Sequence, residues 1–235
     1  LIPSSYWSYG QVITDTSKQL YVGTNHGLLS FNYQANDFQC LLDGNIGSIA
    51  SANDGTIWLV RNGRIESFHP RQLPAVTGYP LPSDIVVSAL ISTKEHMYIA
   101  STGKLYRLNK ETKQHTLFAT IGDDSHVIRD IIEYNGFVYI LTHMDGLYQC
   151  DRNGKVVKHY NLSRGNDKSA STKKLYIDSF NIIWVATQSG LYLLDPLTEE
   201  IDLLRFDLHY QYSLPNNSVW SVYPDPDGGV WIGTY

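Results

Sequence analysis

One feature constrains this chain more than any other: it repeats itself. Leu20-Tyr21-Val22-Gly23-Thr24 is followed by Gly27-Leu28, and Ile57-Trp58-Leu59-Val60 by Gly63-Arg64-Ile65. Met97-Tyr98-Ile99-Ala100 precedes Gly103-Lys104-Leu105, and Val138-Tyr139-Ile140-Leu141-Thr142 precedes Gly146-Leu147. Ile183-Trp184-Val185-Ala186-Thr187 leads to Gly190-Leu191, and the sixth copy is Val230-Trp231-Ile232-Gly233-Thr234. The marker aromatics are spaced by 37, 40, 41, 45 and 47 residues, a mean of 42. Six aromatic-apolar-small-Thr units at near-constant spacing do not arise by chance, and a period of this size signals stacked supersecondary units.

Each unit reads as four short strands. An apolar stretch such as Gly47-Ser48-Ile49-Ala50 comes first. A turn such as Asn53-Asp54-Gly55, Asn135-Gly136 or Asp227-Gly228 follows, and these pairs supply the positive φ that hairpins need. The marker strand is second, a Gly-led strand third, and a variable strand such as Val156–Tyr160 or Ile201–Phe206 fourth. No stretch holds a 3.6-residue period, so almost no helix is expected. The expected fold is all-β: a β-propeller of four-stranded blades, with five complete repeats and a truncated sixth in one domain spanning 1–235. The repeats run about 11–45, 46–84, 85–126, 127–171, 172–218 and 219–235. Arg71 to Asp84 and Arg164 to Ser171 read as loops between blades. At this period 235 residues make about 5.6 blades, so a longer natural protein is expected. Either the ends of an incomplete ring pair with another copy, or Ser5-Tyr6-Trp7-Ser8-Tyr9 supplies a closing strand.

Composition narrows the function classes. Net charge is −5 and no Lys/Arg cluster stands out, which argues against nucleic acid or an anionic membrane as partner. No 18-residue apolar run exists, so membrane contact by this segment is not expected. Leu1-Ile2-Pro3-Ser4-Ser5 has neither the basic start nor the apolar stretch of a secretion signal, and the lack of an initiator Met suggests a processed or excised chain. Cys40 and Cys150 occupy unlike places in their repeats and read as two buried thiols. Most of the 17 Tyr read as strand packing, and so does Trp220; Trp58, Trp184 and Trp231 are expected to be buried between sheets.

Leu214-Pro215-Asn216-Asn217-Ser218-Val219 leads into Asp227-Gly228-Gly229-Val230-Trp231-Ile232-Gly233-Thr234. This stretch resembles the two-component regulator propeller repeat. Copies one and five carry its second half through Gly23-Thr24 with Gly27-Leu28 and through Ala186-Thr187 with Gly190-Leu191. Copies two to four depart from it: Val60-Arg61 stands for Gly-Thr, and copy four has an extra residue before Gly146. The resemblance implies the periplasmic sensor region of a Bacteroidetes-type hybrid two-component system, with an oligosaccharide ligand. It also implies further blades, a membrane helix, a histidine kinase and a regulator outside this segment.

Sites of chemistry are sparse. Ser51-Ala52-Asn53-Asp54-Gly55-Thr56-Ile57-Trp58 resembles the Asp-box hairpin, a structural turn. Asp225-Pro226-Asp227-Gly228 lacks the spaced ligands and closing Glu of a calcium loop and reads as a hairpin. The eight His show no metal-ligand spacing, and no nucleophile elbow or phosphate loop occurs, so no metal, no cofactor and no enzymatic activity are expected of this segment. Eight scattered Arg are poor support for a sialidase. The candidate ligand residues are the polar tips between second and third strands: His26, Arg61, Asn62, His143, Asp145 and Gln188. Ligand sensing leads; the rivals are a propeller for protein–protein contact, including self-association, and a glycan-processing enzyme.

Overall fold

The computed structural model describes residues 8–73, 75–82, 85–93, 96–112, 114–123, 125–162, 171–225 and 229–235. The chain divides into two compact units, Leu1–Phe118 and Ala119–Tyr235.

In the first unit β1 (Ser8–Thr14), β2 (Leu20–Thr24), β3 (Gly27–Asn32) and β4 (Asp37–Asp43) form one antiparallel sheet in chain order. A second sheet follows from β5 (Ile46–Ser51), β6 (Ile57–Arg61), β7 (Arg64–Phe68) and β8 (Thr77–Tyr79). The third comprises β9 (Ala89–Ser92), β10 (Met97–Ala100), β11 (Lys104–Leu108) and β12 (His115–Thr120), the last of which carries the unit boundary. In the second unit β13 (Ile128–Tyr134), β14 (Phe137–Thr142), β15 (Leu147–Cys150) and β16 (Val156–Tyr160) form a fourth sheet. The fifth joins β17 (Thr172–Ile177), β18 (Ile183–Thr187), β19 (Gly190–Leu194) and β20 (Ile201–Leu204), and a last sheet pairs β21 (Val219–Pro224) with β22 (Val230–Thr234). Among the described residues the helical content is a single 3-10 turn at Pro70–Gln72.

The second strands explain why neighbouring sheets stack. In β6, Ile57 and Leu59 point into a core shared with Tyr21, Leu28, Ile46 and Phe68. Their alternates Trp58 and Val60 point into a different core with Ile65, Leu90, Met97 and Ile99. The second unit repeats the arrangement: Ile183 and Val185 pack with Tyr139, Leu141 and Leu175, while Ala186 packs with Leu191, Val219 and Val222. A strand whose two faces are both covered reads as an unbroken apolar run, which is what the marker units are.

Two residues of the repeat are dictated by the turn between second and third strands. The buried Thr24 and Thr187 hydroxyls donate to the carbonyls of Gly27 and Gly190 at 2.7 Å, and Thr142 to Gly146 at 3.0 Å. Each hydroxyl also accepts a turn N–H, from Gly27, Ser189 and Asp145 respectively, so the extra residue before Gly146 leaves the device intact. A Cβ on Gly27 would stand 2.6 Å from the Leu42 carbonyl oxygen, and one on Gly190 2.7 Å from that of Leu204, so the fourth strand leaves no room for a side chain. In β6–β7 the turn is Asn62-Gly63, with φ of +51° and +77°, a two-residue hairpin that needs no hydroxyl.

The turn between first and second strands carries a related device. Asp15 and Asp178 accept backbone N–H groups with one carboxylate oxygen. The other oxygen accepts from the aromatic six residues on, the Tyr21 hydroxyl at 3.1 Å and Trp184 Nε1 at 2.8 Å. Asp225 holds Trp231 Nε1 likewise. The second repeat has Ala52 at this position, and Trp58 Nε1 is buried without a hydrogen-bond partner. Asp54 still accepts the Thr56 N–H at 2.9 Å, as expected of an Asp-box turn.

Several sequence expectations are corrected. Trp58 is 1% exposed, Trp184 is half-buried and Trp231 is 68% exposed. The difference is cover: β21 packs on the Trp184 face, whereas no sheet covers Trp231 among the described residues. Trp220 is not core packing but 53% exposed. Cys40 lies exposed on the edge strand β4; only Cys150 is buried, and burial together with Asp151 pushes its thiol pKa up to about 12. Both cysteines are free. The stretch from Arg71 holds β8, the fourth strand of its sheet, rather than loop alone. Ser8 and Tyr9 belong to β1 of the first sheet; the rest of the proposed closing strand, most of the loop from Arg164, and Pro226-Asp227-Gly228 lie outside the described residues.

Replacing Thr187 by Val keeps shape but removes the hydroxyl's bonds to the buried Gly190 carbonyl and the partly buried Ser189 N–H. It should cost about 1–3 kcal/mol, read as a lower urea midpoint at unchanged m-value.

Candidate functional site

Four of the sheets tie the tip after their second strand to the start of their first. The N–H of Asn62 donates to Asn45, that of His143 to Val127, that of Gln188 to Ser171 and that of Tyr235 to Ser218, at 2.8 to 3.0 Å. The candidate tips are thus anchored by backbone, with their side chains at the ends of the sheets.

In the first unit the loop at Gly44 and Asn45 gathers three candidates. Gly44 donates its N–H to the His26 carbonyl, and Asn45 donates to the Asn62 side-chain oxygen at 2.9 Å. Arg61 is committed elsewhere: its guanidinium forms a bidentate pair with Glu66 at 2.7 and 3.1 Å and donates to the Asp43 carbonyl. Asn62, at positive φ and bonded to Asn45, shapes the turn. His26 is exposed.

In the second unit Ser171 joins two candidates. Its carbonyl accepts the N–H of exposed Gln188, and its hydroxyl lies 3.4 Å from His143 Nδ1. Lys173 Nζ donates to the same hydroxyl at 3.1 Å and sits 4.4 Å from the centroid of the Trp220 ring. Burial, then the charges of Arg129 and Lys173, hold the His143 pKa below the ordinary imidazole value; burial and Arg129 lower that of Lys173.

Asp145 belongs to a second cluster. Its carboxylate accepts from the Tyr148 hydroxyl and lies 3.1 Å from His126 Nε2, while His159 Nε2 meets its carbonyl oxygen. The Tyr148 and His159 rings stack at 4.1 Å. His126 Nδ1 is 2.9 Å from Asp123. Among the described residues no group of three or more His, Cys, Asp or Glu could hold a metal ion.

Arg129, Ser171, Lys173 and the cluster partners His126, Tyr148 and His159 were not among the sequence candidates. Three positions share a legible signal: Arg129, Lys173 and Trp220 each follow the first residue of a first strand, at Ile128, Thr172 and Val219. His126, Tyr148 and His159 carry no pattern that the repeat reveals.

Residues 213–235 match the model of the two component regulator propeller family. No curated protein matches the sequence. Among solved structures, the chain is similar to the extracellular domain of the hybrid two component system BT4673 from B. thetaiotaomicron. That match has a TM-score of 0.76 at 21% identity, over 97% of this chain and 32% of that one. The extracellular domain of the hybrid two component system BT3049 from the same organism gives 0.68 at 17%, over 95% and 38%. Virginiamycin B lyase from Staphylococcus aureus gives 0.73 at 9%, over 97% and 80%. The fold is that of a β-propeller. Its described sheets are five four-stranded blades and one two-stranded blade. The chain spans about a third of the length of those two extracellular domains. No helix among the described residues is long and apolar enough to cross a membrane.

Burial alone would lower the pKa of His126, but the Asp123 hydrogen bonds and the charges of Asp123 and Asp145 outweigh it and raise it. Its folded-state pKa should therefore exceed the ordinary imidazole value of about 6.5. Its contribution to stability is then full below that value and lost as pH rises through the folded pKa. NMR titration of the imidazole should show this, with Asp123→Asn lowering the pKa more than Asp145→Asn.

Proposed function

We propose that this chain is a ligand-sensing propeller segment of the extracytoplasmic part of a hybrid two-component signalling protein, periplasmic and non-catalytic, with an oligosaccharide as its ligand. The observation that carries the reading is the match of residues 213–235 to the two component regulator propeller model, seated on the β21–β22 pair. The fold similarity to two sensor extracellular domains supports it. The lyase neighbour, at 9% identity, shares the fold and leaves an enzymatic reading as the rival. Tips held by backbone bonds, with polar side chains at sheet ends, suit recognition without chemistry, since a rigid frame lowers the cost of ordering on binding.

Isothermal titration against a panel of oligosaccharides tests the reading. Gln188→Ala, at an exposed tip, should weaken binding several-fold, about 1 kcal/mol, with the melting temperature unchanged. Release of sugar from a polysaccharide by the pure chain, abolished by a point mutation, would overturn it.

A second reading, contact with another copy of the chain, is favoured by exposed aromatics on the two-stranded sheet. Tyr223, 66% exposed, is the register partner of Trp231, so two large aromatics stand side by side in solvent. Sedimentation equilibrium should show a dimer that Trp231→Ser shifts towards monomer; a monomer at all concentrations rejects it.

A further inference from the structure

The first strands of the second unit carry matching irregularities. Strand register slips between Ile128 and Asp130, between Thr172 and Lys174, and between Val219 and Ser221. The residue inside each slip is Arg129, Lys173 and Trp220. In the first unit the slip between Ile46 and Ser48 encloses Gly47. A β-bulge leaves its extra residue unpaired and re-aims the side chain, and such devices recur beside functional sites. Three consecutive bulges in adjacent strands thus present two cations and an indole, whereas the equivalent position in the second sheet presents no side chain.

Lys173, Ser171, Trp220 and His143 form one cluster, and Arg129 stands at the matching bulge of the neighbouring strand β13. Lys173 reaches both the Ser171 hydroxyl and the Trp220 ring, and Ser171 reaches His143. Trp220 Nε1 donates to the Ser218 hydroxyl at 3.0 Å, which fixes the indole plane while half of the side chain stays exposed. The nearby carboxylate Asp130 is taken up by Lys174 at 3.0 Å and by the N–H groups of Ile131 and Leu175. No carboxylate pairs with Arg129 or Lys173 among the described residues, although the chain as a whole is acidic. Like charges held together without a counter-ion are unfavourable, and a bound anion relieves them. Burial first, and then the neighbouring positive charges, lower the pKa values of Lys173 and His143.

We propose that Arg129, Lys173, Ser171 and Trp220 form a binding site for a carboxylate borne on a ring. The acid is held by the two cations and the Ser171 hydroxyl, and the ring face lies on the exposed indole. The inference deepens the ligand-sensing reading and rests on it. A sugar acid and an aromatic acid share this chemistry, and both offer a face that stacks on Trp.

The test follows the Trp220 indole N–H by NMR in the labelled 235-residue chain while methyl β-glucuronide, methyl β-glucoside, benzoate or inorganic phosphate is added. The glucuronide or benzoate should shift the resonance saturably, and the tighter of the two identifies the source. The neutral glucoside should bind at least tenfold more weakly. Lys173→Gln and Arg129→Gln should each weaken the acid at least tenfold; in Trp220→Ala the reporter indole is gone, so isothermal titration reads the affinity, which should also fall at least tenfold, with Trp220→Phe retaining part of it should the Ala variant fold poorly. Glucoside binding equal to glucuronide and indifferent to Lys173→Gln would overturn the site while leaving a sugar sensor intact. Phosphate binding as tightly as the ring acids, unaffected by Trp220→Ala, would overturn it as a ring site. No shift with either acid would overturn it outright, whatever the oligosaccharide panel yields.

Discussion

Burial of both faces of the second strand is the interaction on which everything else depends. Ile57 and Leu59 serve one core and Trp58 and Val60 the next, so a sheet without neighbours on both sides would leave an apolar face in water. Burying a large side chain of this kind is worth about 1.5–3 kcal/mol, and β6, β10 and β14 each supply three or four. Stacking follows from the alternation of side chains along a strand, and the period of the sequence follows from stacking.

Around that core the polar residues of the repeat act as fasteners. The Thr hydroxyl closes the tip after the second strand, and the Asp carboxylate closes the turn before it and reaches forward to the aromatic ring. Both satisfy backbone groups that burial would otherwise strand. Trp58 shows what happens when one is missing: Ala52 leaves its indole N–H unpartnered, and packing alone keeps the ring in place. The sheet ends are therefore stiff, and the side chains beyond the fasteners are free to differ from blade to blade.

That division explains why the candidate residues separate. Arg61 and Asn62 sit at a tip but work for the fold, one through Glu66 and the other through Asn45. His143 and Gln188 converge on Ser171, and Asp145 joins an unforeseen His–Tyr–His group. Position at a loop tip identified where variable side chains stand; it could not tell which of them the frame consumes, because the consuming partners lie on other strands.

The sequence by itself determined the strands, their order and the composition of the tips, because these depend on local patterns: alternation within a strand, positive φ in Asn-Gly, and Thr and Gly within four residues of each other. Only the tertiary structure decided which aromatics are covered. Trp184 and Trp231 occupy the same place in their repeats, and cover on one side alone separates them. It also decided that Lys173 and Trp220 meet. They are 47 residues apart, and the bulges that re-aim them arise from a slip of register between two strands. Such a slip is a property of pairing, and no single strand carries it in its sequence.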